Sequence, residues 1–360
     1  MYIGWQNMKK VTALFSSILL LGCASKTAQD STLAMFGAKY QNRSYQHNVL
    51  QPVKVVDNQS AVVNQGDFLT QLSSIREYSV GLTNKFHSVY SKITNWVLAG
   101  AEINALVEFG IQPQLMQGQD GYQNVLMTGY YSPVIHARHK PTGKFNQPIY
   151  ALPSQKRVSR ADIYAGALSG KGLELAYSDS MIDNFLLGVQ GSGYVDFGNG
   201  ELRYFAYAGQ NGFEYVAIGR LLVEEGEVPK EKVSIQAIRN WAAANPERLQ
   251  ALLERNPSYV FFKNDPEGKV KGAAGVPLIP MAAVAADRNL IPLGSVLLME
   301  VPTINNDGTW GGEHHLRLMV ALDVGGAVKG QHFDLYRGIG DKAGHIAGLA
   351  KHYGRVWLLQ

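Results

Sequence analysis

The sequence has very little cysteine and no excess of charge of either sign. Cys23 is the only cysteine among 360 residues, and a single thiol cannot form a disulfide within the chain. The 33 Lys and Arg residues nearly balance the 29 Asp and Glu residues, and no run is rich in Lys or Arg. This balance gives no reason to expect nucleic acid or an anionic surface as a binding partner.

Several catalytic motifs are also missing. No HExxH zinc motif and no GxSxG nucleophile elbow occurs; Ser192 lies between glycines, but β-prone residues follow it where an elbow requires a helix. The histidines form no ligand pattern. His332 and Asp334 would face the same side of a strand, which leaves a metal pair open, although no third ligand can be named. We therefore expect no metal and no other cofactor.

Long apolar runs are absent apart from one near the N-terminus. Lys9 and Lys10 precede VTALFSSILLLG, which ends at Cys23. A basic segment followed by an apolar stretch too short to span a bilayer is typical of a secretory signal. LLGC resembles a bacterial lipobox, which implies removal of residues 1–22 and lipidation of Cys23; the alternative is an ordinary signal peptide that contains a cysteine. The residue after the cysteine is Ala24, which favours sorting of such a lipoprotein to the outer membrane. Whether translation starts at Met1 or at Met8 stays open.

What the sequence does contain indicates a folded, β-rich protein. It is 46% hydrophobic and 17% charged, and 38 glycines break short apolar runs. The length favours two domains. Apolar spacing predicts helices, which are listed here by residue number: 67–79, 85–99, 101–109, 159–167, 180–188, 215–226 and 233–255 with a break at 245–246. From residue 259 onwards nearly every segment reads as a strand, which predicts a closed barrel.

One acidic residue is placed as a proton donor would be. Asp323 follows the apolar run 316–322 and precedes Gly325 and Gly326. An acid at the end of an apolar strand is partly desolvated, and desolvation raises a carboxyl pKa towards the range that a proton donor needs. The alternative is an Asx-turn acid that caps a hairpin.

Two further acids are weaker candidates. Asp334 could support Asp323, but it could equally pair with Lys329 or Arg337. Asp287 could line the same barrel mouth or lie in a turn.

Aromatic residues next to small polar residues suggest carbohydrate binding. Sugar rings stack on aromatic faces while their hydroxyl groups bond to amides and backbone. The alternative is that these aromatic residues fill the core, which is common in β proteins. The candidate groove residues are Tyr130, Tyr131, Gln190, Gly191, Ser192, Asp287 and Gly325.

Five ordered segments resemble one known family, that of membrane-bound lytic murein transglycosylase A. They are TGYYSPVIHAR (128–138), SRADIYAGAL (159–168), VQGSGYVDFGNG (189–200), NPSYVFFK (256–263) and LMVALDVGGAVKGQHFDLYRGIG (318–340). The likeness extends from about residue 60 to the C-terminus and includes the lipobox.

The resemblance implies a fold: a double-psi β-barrel domain with a second β-rich domain inserted, peripheral helices, and a groove between the domains. Mapped onto this chain, residues 23–60 would be the lipidated tether. Residues 61–132 and 259–360 would form the barrel domain, and 133–258 the insert.

The resemblance also implies an activity: non-hydrolytic cleavage of the β-1,4 bond between N-acetylmuramic acid and N-acetylglucosamine in peptidoglycan, which leaves 1,6-anhydro ends. The family's catalytic aspartate maps onto Asp323, which would act first as acid and then as base, with Asp334 in support. The implied partners are glycan strands, outer-membrane lipid through acylated Cys23 on the periplasmic side, and other cell-wall enzymes; we expect a monomer.

Two other functions remain open from the sequence. The first is a glycan-binding lipoprotein without catalysis, since a fold does not determine a function. The second is a metal-dependent wall amidase or peptidase that uses His332 and Asp334.

Overall fold

The structure, a computed structural model, describes residues 49–119, 123–155 and 157–360. The predicted signal peptide, Cys23 and residues 24–48 of the predicted tether lie outside these residues. Within the described residues, no helix combines the length and the apolar character needed to cross a membrane.

The described strands are numbered in chain order. They are β1 Leu50–Pro52, β2 Pro113–Met116, β3 Val125–Ser132, β4 Val134–Arg138, β5 Gln147–Tyr150, β6 Glu174–Ser178, β7 Gly193–Gly198, β8 Glu201–Gln210, β9 Val260–Asp265, β10 Ala283–Ala285, β11 Val296–Ile304, β12 Trp310–Asp323, β13 His332–Ile339, β14 Lys351–Gly354 and β15 Val356–Leu359.

The described α-helices are numbered in the same way, and short 3₁₀ helices occur at Ile103–Ala105 and Lys230–Lys232. The α-helices are α1 Gln65–Tyr78, α2 Val80–Lys85, α3 His87–Leu98, α4 Arg160–Tyr164, α5 Met181–Gln190, α6 Ile218–Glu224, α7 Ile235–Ala244, α8 Pro246–Glu254 and α9 Gly340–Leu349.

The strands form two sheets, so the predicted mainly β class is confirmed. The first sheet has the order β1-β2-β15-β11-β12-β10-β13-β3-β14, and the second has the order β5-β6-β4-β7-β8-β9. Most pairs are antiparallel. The parallel pairs are β10 with β12 and β3 with β13 in the first sheet, and β4 with β7 in the second.

The prediction of a closed barrel is not met by the strand pairing. In the described part of the chain, no ladder joins β1 to β14, the two ends of the first sheet. The sheet curls instead, because β14 continues through the single residue Arg355 into β15. At that junction the Glu300 N–H of β11 donates to the Arg355 carbonyl oxygen over 2.9 Å. This bond lies outside the ladders, since β14 pairs with β3 while β15 pairs with β2 and β11.

Side chains of strand β12 alternate between its two faces and so contribute to two separate parts of the core. Leu316, Leu318 and Val320 point to one side, where they pack with residues of α1 and α3. Met319 and Ala321 point to the other side, among residues of β10, β11 and β13. Because side chains of a strand alternate between faces, the second half of β12 is apolar on both sides, and it is continuously buried over residues 318–322.

Several helix predictions are confirmed with small shifts of their ends. Ser159 caps α4 in a capping box with Asp162, and Pro246 begins α8 after the predicted break. The predicted helix 101–109 is wrong: only the 3₁₀ turn Ile103–Ala105 forms there, since Ala101 adopts a positive φ of 56°.

Helix α9 was missed by the sequence reading because its glycines are typical of a loop. Close packing explains them. A Cβ on Gly344 would lie 2.6 Å from the ring of Tyr131, and a Cβ on Gly129 of β3 would lie 3.0 Å from the backbone of Ala347. Helix α9 therefore lies directly on β3, at a distance that larger side chains would prevent.

The last part of the predicted tether is folded. Strand β1 pairs with β2, Val56 is buried, and the Asn58 side chain donates to the Glu300 carboxylate. Arg355 donates to both oxygens of Glu300, over 2.8 and 2.6 Å, and also bonds Asp57. Residues 57 and 58 are thus held by a buried ion pair, since the relative exposures of Glu300 and Arg355 are 0% and 3%.

We predict that Arg355→Met destabilises the fold by about 3–5 kcal/mol, because it leaves the Glu300 charge buried without its cation. Urea denaturation followed by circular dichroism measures this free energy. Arg203→Met, which removes a surface pair with Glu201, is the control and should cost less than about 1 kcal/mol. Equal effects of the two substitutions would contradict the prediction.

Candidate active site

Two acids lie on either side of one alanine. The short strand β10 lies between β12 and β13, and Ala285 is the register partner of Asp323 on β12 and of Asp334 on β13. Adjacent strands are about 4.8 Å apart, so the two Cα atoms are separated by roughly 10 Å. Residues opposite each other in a sheet share a face, and the small Ala285 side chain leaves the space between the two carboxyl groups open.

Asp323 is held by three donors. Its Oδ1 accepts the backbone N–H groups of Ala273 and Val324, each over 2.9 Å, and its Oδ2 accepts the Tyr130 hydroxyl over 3.0 Å. Burial raises the pKa of Asp323 above the usual value, and the three hydrogen bonds oppose that rise without cancelling it. The carboxyl group is therefore fixed in position and holds its proton more tightly than an exposed aspartate does.

Asp334 is more strongly perturbed. Burial raises its pKa to about 6, with a smaller contribution from the negative charge of Asp323. The Thr128 hydroxyl donates to its Oδ1 over 2.7 Å. The same hydroxyl lies 2.8 Å from Nε2 of His332, whose pKa is lowered by burial. His332 and Asp334 do share a side of β13, as the sequence predicted.

Tyr130 links Asp323 of β12 to strand β3. It lies on β3 opposite Tyr336 of β13, and the two ring centroids are 5.3 Å apart. Burial raises the pKa of Tyr130 well above the usual value, and the nearby Asp323 and Asp334 raise it further. Tyr130 therefore stays protonated and acts as a hydrogen-bond donor.

The acids line a groove of about 1670 Å³ that is bounded by both sheets. The first sheet and its loops contribute Tyr130, Ala285, Asp323 and Asp334, and the second contributes residues of β8 and β9 with the end of α5. The groove is large enough for a chain of several sugar units rather than a single small molecule. A groove between two β-rich domains was predicted, and the structure has a groove between its two sheets.

The structure places most of the predicted binding residues in this groove. Those that line it are Tyr130, Gln190, Gly191, Ser192, Asp287 and Gly325. Tyr131 does not line it and is a correction: strand alternation turns its ring away from the groove, so that it packs on Ala343 and Ala347 of α9 and is 4% exposed.

The turn after α5 brings three of these residues together. Gly191 adopts φ 82° and ends the helix as its C-cap, a conformation that glycine adopts without strain. The Gln190 side-chain oxygen accepts the Tyr131 N–H over 3.1 Å, which ties this turn to β3. Gln190 thereby connects the two sheets next to Tyr130.

Asp287 is a turn acid at the rim of the groove. It accepts the Gly330 N–H over 3.0 Å and the Asn289 N–H over 3.1 Å. These two bonds lower its pKa, so Asp287 is a carboxylate and not a proton donor. Its bond to Gly330 holds the loop that follows Asp323 in place.

The sequence reading missed the backbone of residues 272–274. Ala273 donates to Asp323, and a Cβ on Gly272 would lie 2.4 Å from the Leu322 carbonyl oxygen. No local motif marks this contact, because it joins residues about 50 positions apart. Thr128 was missed as well, although it lies within the resembling segment 128–138.

Metal ligands do not cluster. Across residues 49–119, 123–155 and 157–360, no group of three His, Cys, Asp or Glu side chains is arranged to hold a metal ion. His332 and Asp334 both contact Thr128 instead.

Comparisons with known proteins agree in the family they indicate. The MltA specific insert domain model matches residues 126–159 and 154–263, and the 3D domain model matches residues 282–360. Membrane-bound lytic murein transglycosylase A of Escherichia coli K12 is 48% identical over 349 residues, which cover 95% of this chain and 93% of that protein. The Vibrio cholerae protein of the same name is 45% identical, covering 98% and 94%. The crystal structure of E. coli MltA with bound chitohexaose, also 48% identical, superimposes with a TM-score of 0.85 over 91% of this chain and 98% of that chain.

We predict that Tyr130→Phe raises the pKa of Asp323 by about one unit, because it removes a hydroxyl donor that favours the ionised carboxyl. Carbon-13 NMR titration of labelled aspartate carboxyls measures this shift. Tyr164→Phe, which removes a hydroxyl that accepts from Arg160 within helix α4, is the matched control and should leave that pKa unchanged. An unchanged or lower pKa in Tyr130→Phe would contradict the assigned bond.

Proposed function

Because the chain belongs to the membrane-bound lytic murein transglycosylase A family, it is a lytic transglycosylase of peptidoglycan, and we propose that Asp323 carries out both proton transfers of its reaction. The observation that carries this proposal is the position of Asp323 on the groove floor, with a raised pKa and three fixed donors. The alternative of a binding protein without catalysis is not supported by the relatives.

The chemistry needs only one acid. Ordinary glycosidases use two carboxyl groups, because one must activate water or act as nucleophile. In a lytic transglycosylase the C6 hydroxyl of the muramic residue attacks its own C1, so the nucleophile is already tethered and its effective concentration is high. Asp323 protonates the oxygen of the leaving sugar, and the resulting carboxylate then takes the proton from the C6 hydroxyl. The proton count of the enzyme is unchanged at the end.

Positive charge develops on the sugar ring during cleavage. Asp334 lies across Ala285 from Asp323. When it is ionised, its negative charge would stabilise the positive charge on the sugar ring, and this is the supporting role that we assign to it. Carbonyl dipoles of the glycine-rich loop after Asp323 would add to this effect.

We place the glycan along the groove. The E. coli relative has been crystallised with chitohexaose, a chain of sugar units, and the groove of this chain, about 1670 Å³, has room for several sugar units. Tyr130, Gln190, Gly191, Ser192, Asp287 and Gly325 are the residues we propose as its contacts.

The relatives are named as membrane-bound proteins, and this chain is accordingly associated with a membrane. We propose that the attachment is a lipid on Cys23 in the outer membrane, with the groove in the periplasm and the enzyme acting as a monomer. We also propose that residues 133–258 are the inserted domain, which is in keeping with the family-model match at 126–263.

Asp323→Asn should abolish glycan cleavage, with a loss of at least about a thousandfold, since an amide keeps the shape but cannot donate or accept the proton. The assay is digestion of purified peptidoglycan by protein lacking residues 1–23, with mass spectrometry of the products. The wild type should release products one water lighter than hydrolysis gives, which resist borohydride. Reducible ends, or wild-type activity in Asp323→Asn, would refute the mechanism.

The rate should fall as pH rises through the pKa of Asp323, because the protonated acid is the active form. Burial raises that pKa, so the fall should lie at a higher pH than the ordinary aspartate range. The pH dependence of kcat/KM measures it. A flat profile from acid to neutral pH would count against a single general acid.

A further inference from the structure

Two basic side chains lie next to the bond that joins two loops at the rim of the groove. The Oδ2 atom of Asp287 accepts the Gly330 N–H over 3.0 Å, so the loop after β10 touches the loop after β12. Arg288 follows Asp287 and Lys329 precedes Gly330, and both Arg288 and Lys329 line the groove. Neighbouring Cα atoms are about 3.8 Å apart, so these two residues leave the backbone within roughly 12 Å of each other. We call Arg288 and Lys329 the rim cations.

The rim cations have no partner among the residues that the structure describes. Both are exposed, and neither forms an ion pair or a side-chain hydrogen bond there. Lys329 contributes to the lowered pKa of Asp287, but both oxygens of that carboxylate already accept backbone N–H groups, from Asn289 and Gly330. Two positive charges therefore lie beside one acid whose oxygens are in use, which leaves this rim positive.

The other two lysines of the groove have acidic neighbours. Lys271 bonds the Glu267 carboxylate. Lys263 and Asp265 are two residues apart on β9 and both line the groove, so they share a side of that strand. The rim cations differ from these lysines, because they are two adjacent positive charges on loops that are tied together.

The rim cations also lie apart from the reacting carboxyl groups. Neither of them is among the charges that shift the pKa of Asp323 or of Asp334. A role in the proton transfers is therefore not supported, whereas a role in binding a charged part of the substrate is compatible with their position along the groove.

The sugar backbone of peptidoglycan is uncharged, and its negative charge is carried by the muramic residues. Each of these has a lactyl arm at C3, whose carboxyl group is either free or joined to a stem peptide with carboxylates of its own. Arg and Lys bind carboxylates through charge-assisted hydrogen bonds, and the guanidinium group can contact both oxygens at once. Because every second sugar is a muramic residue, a strand in the groove presents such an arm about every 10 Å.

We propose that the rim cations, Arg288 and Lys329, form a subsite of the groove that binds a carboxylate on the lactyl arm of a muramic residue. The carboxylate is either that of the lactyl group itself or one of the stem peptide attached to it. This subsite increases the affinity for charged strands and takes no part in the proton transfers. The inference rests on the proposed course of the glycan along the groove.

The test compares the wild type with Arg288→Gln/Lys329→Gln on soluble glycan strands, by release of anhydro ends. One preparation carries stem peptides, and the other has been stripped by an amidase, so that only lactyl carboxylates remain. The double variant should lose about tenfold in kcat/KM, because each exposed ion pair contributes about threefold in affinity. The loss should lie mainly in KM, since the contact forms before the transition state is reached, and it should shrink as salt is added.

The two preparations identify the source of the carboxylate. A loss on peptide-bearing strands assigns the subsite to the stem peptide, and a loss on stripped strands assigns it to the lactyl group. No loss on either preparation would overturn the proposal. The exchange Arg288→Lys/Lys329→Arg keeps both charges and should recover most of the affinity; a failure to recover would show that charge is not what these residues supply.

Chitohexaose, which has no carboxylate, is the neutral ligand for the same variants. Its affinity, measured by calorimetry, should be the same for the wild type and for Arg288→Gln/Lys329→Gln. A tenfold weaker affinity for chitohexaose would mean that the rim cations bind sugar hydroxyl groups, which also overturns the proposal.

Lys171→Gln/Lys342→Gln is the matched control. Both lysines are exposed and neither lines the groove, so this variant loses the same net charge and should match the wild type on both preparations. Asp323→Asn in the same assay separates the two proposals. If that variant remains active, the proposed function fails; if it is inactive while Arg288→Gln/Lys329→Gln loses nothing, only the present inference fails.

Discussion

The chemistry of this protein depends on a strand of three residues. Strand β10 enters the first sheet between β12 and β13 and runs parallel to one and antiparallel to the other. A register irregularity between Val284 and Ala285 on the β12 side then makes Ala285 the register partner of both Asp323 and Asp334. A shift of one position would turn β10 over and place Val284 between the acids. The site thus depends on backbone hydrogen bonds in the sheet more than on any contact between the acids themselves.

Around that strand, burial and hydrogen bonding shift the pKa values of the two carboxyl groups in opposite directions. Burial raises the pKa of each, while donors favour ionisation. Asp323 has three donors and Asp334 has one from Thr128, so hydrogen bonding favours ionisation of Asp323 more than that of Asp334.

The rest of the molecule holds the walls of the groove. The second sheet supplies one side and is connected to β3 through the Gln190 bond to Tyr131. On the other side, helix α9 packs so closely on β3 that only glycine fits at residues 129 and 344. The buried Arg355–Glu300 pair fixes the junction of β14 and β15 and ties the start of the folded chain to it.

Local patterns in the sequence were enough for several features. Apolar runs and their spacing identified the mainly β class, the helix that begins near Ser159 and the strand that ends at Asp323, because such signals are contained in neighbouring residues. The ring direction of Tyr131, the helix at 340–349 and the open order of the strands were decided by tertiary structure. The Ala273 bond and the pairing of Thr128 with Asp334 were decided there too. These depend on register between residues that are about 50 and 200 positions apart, and a sequence contains no local record of which strands will pair.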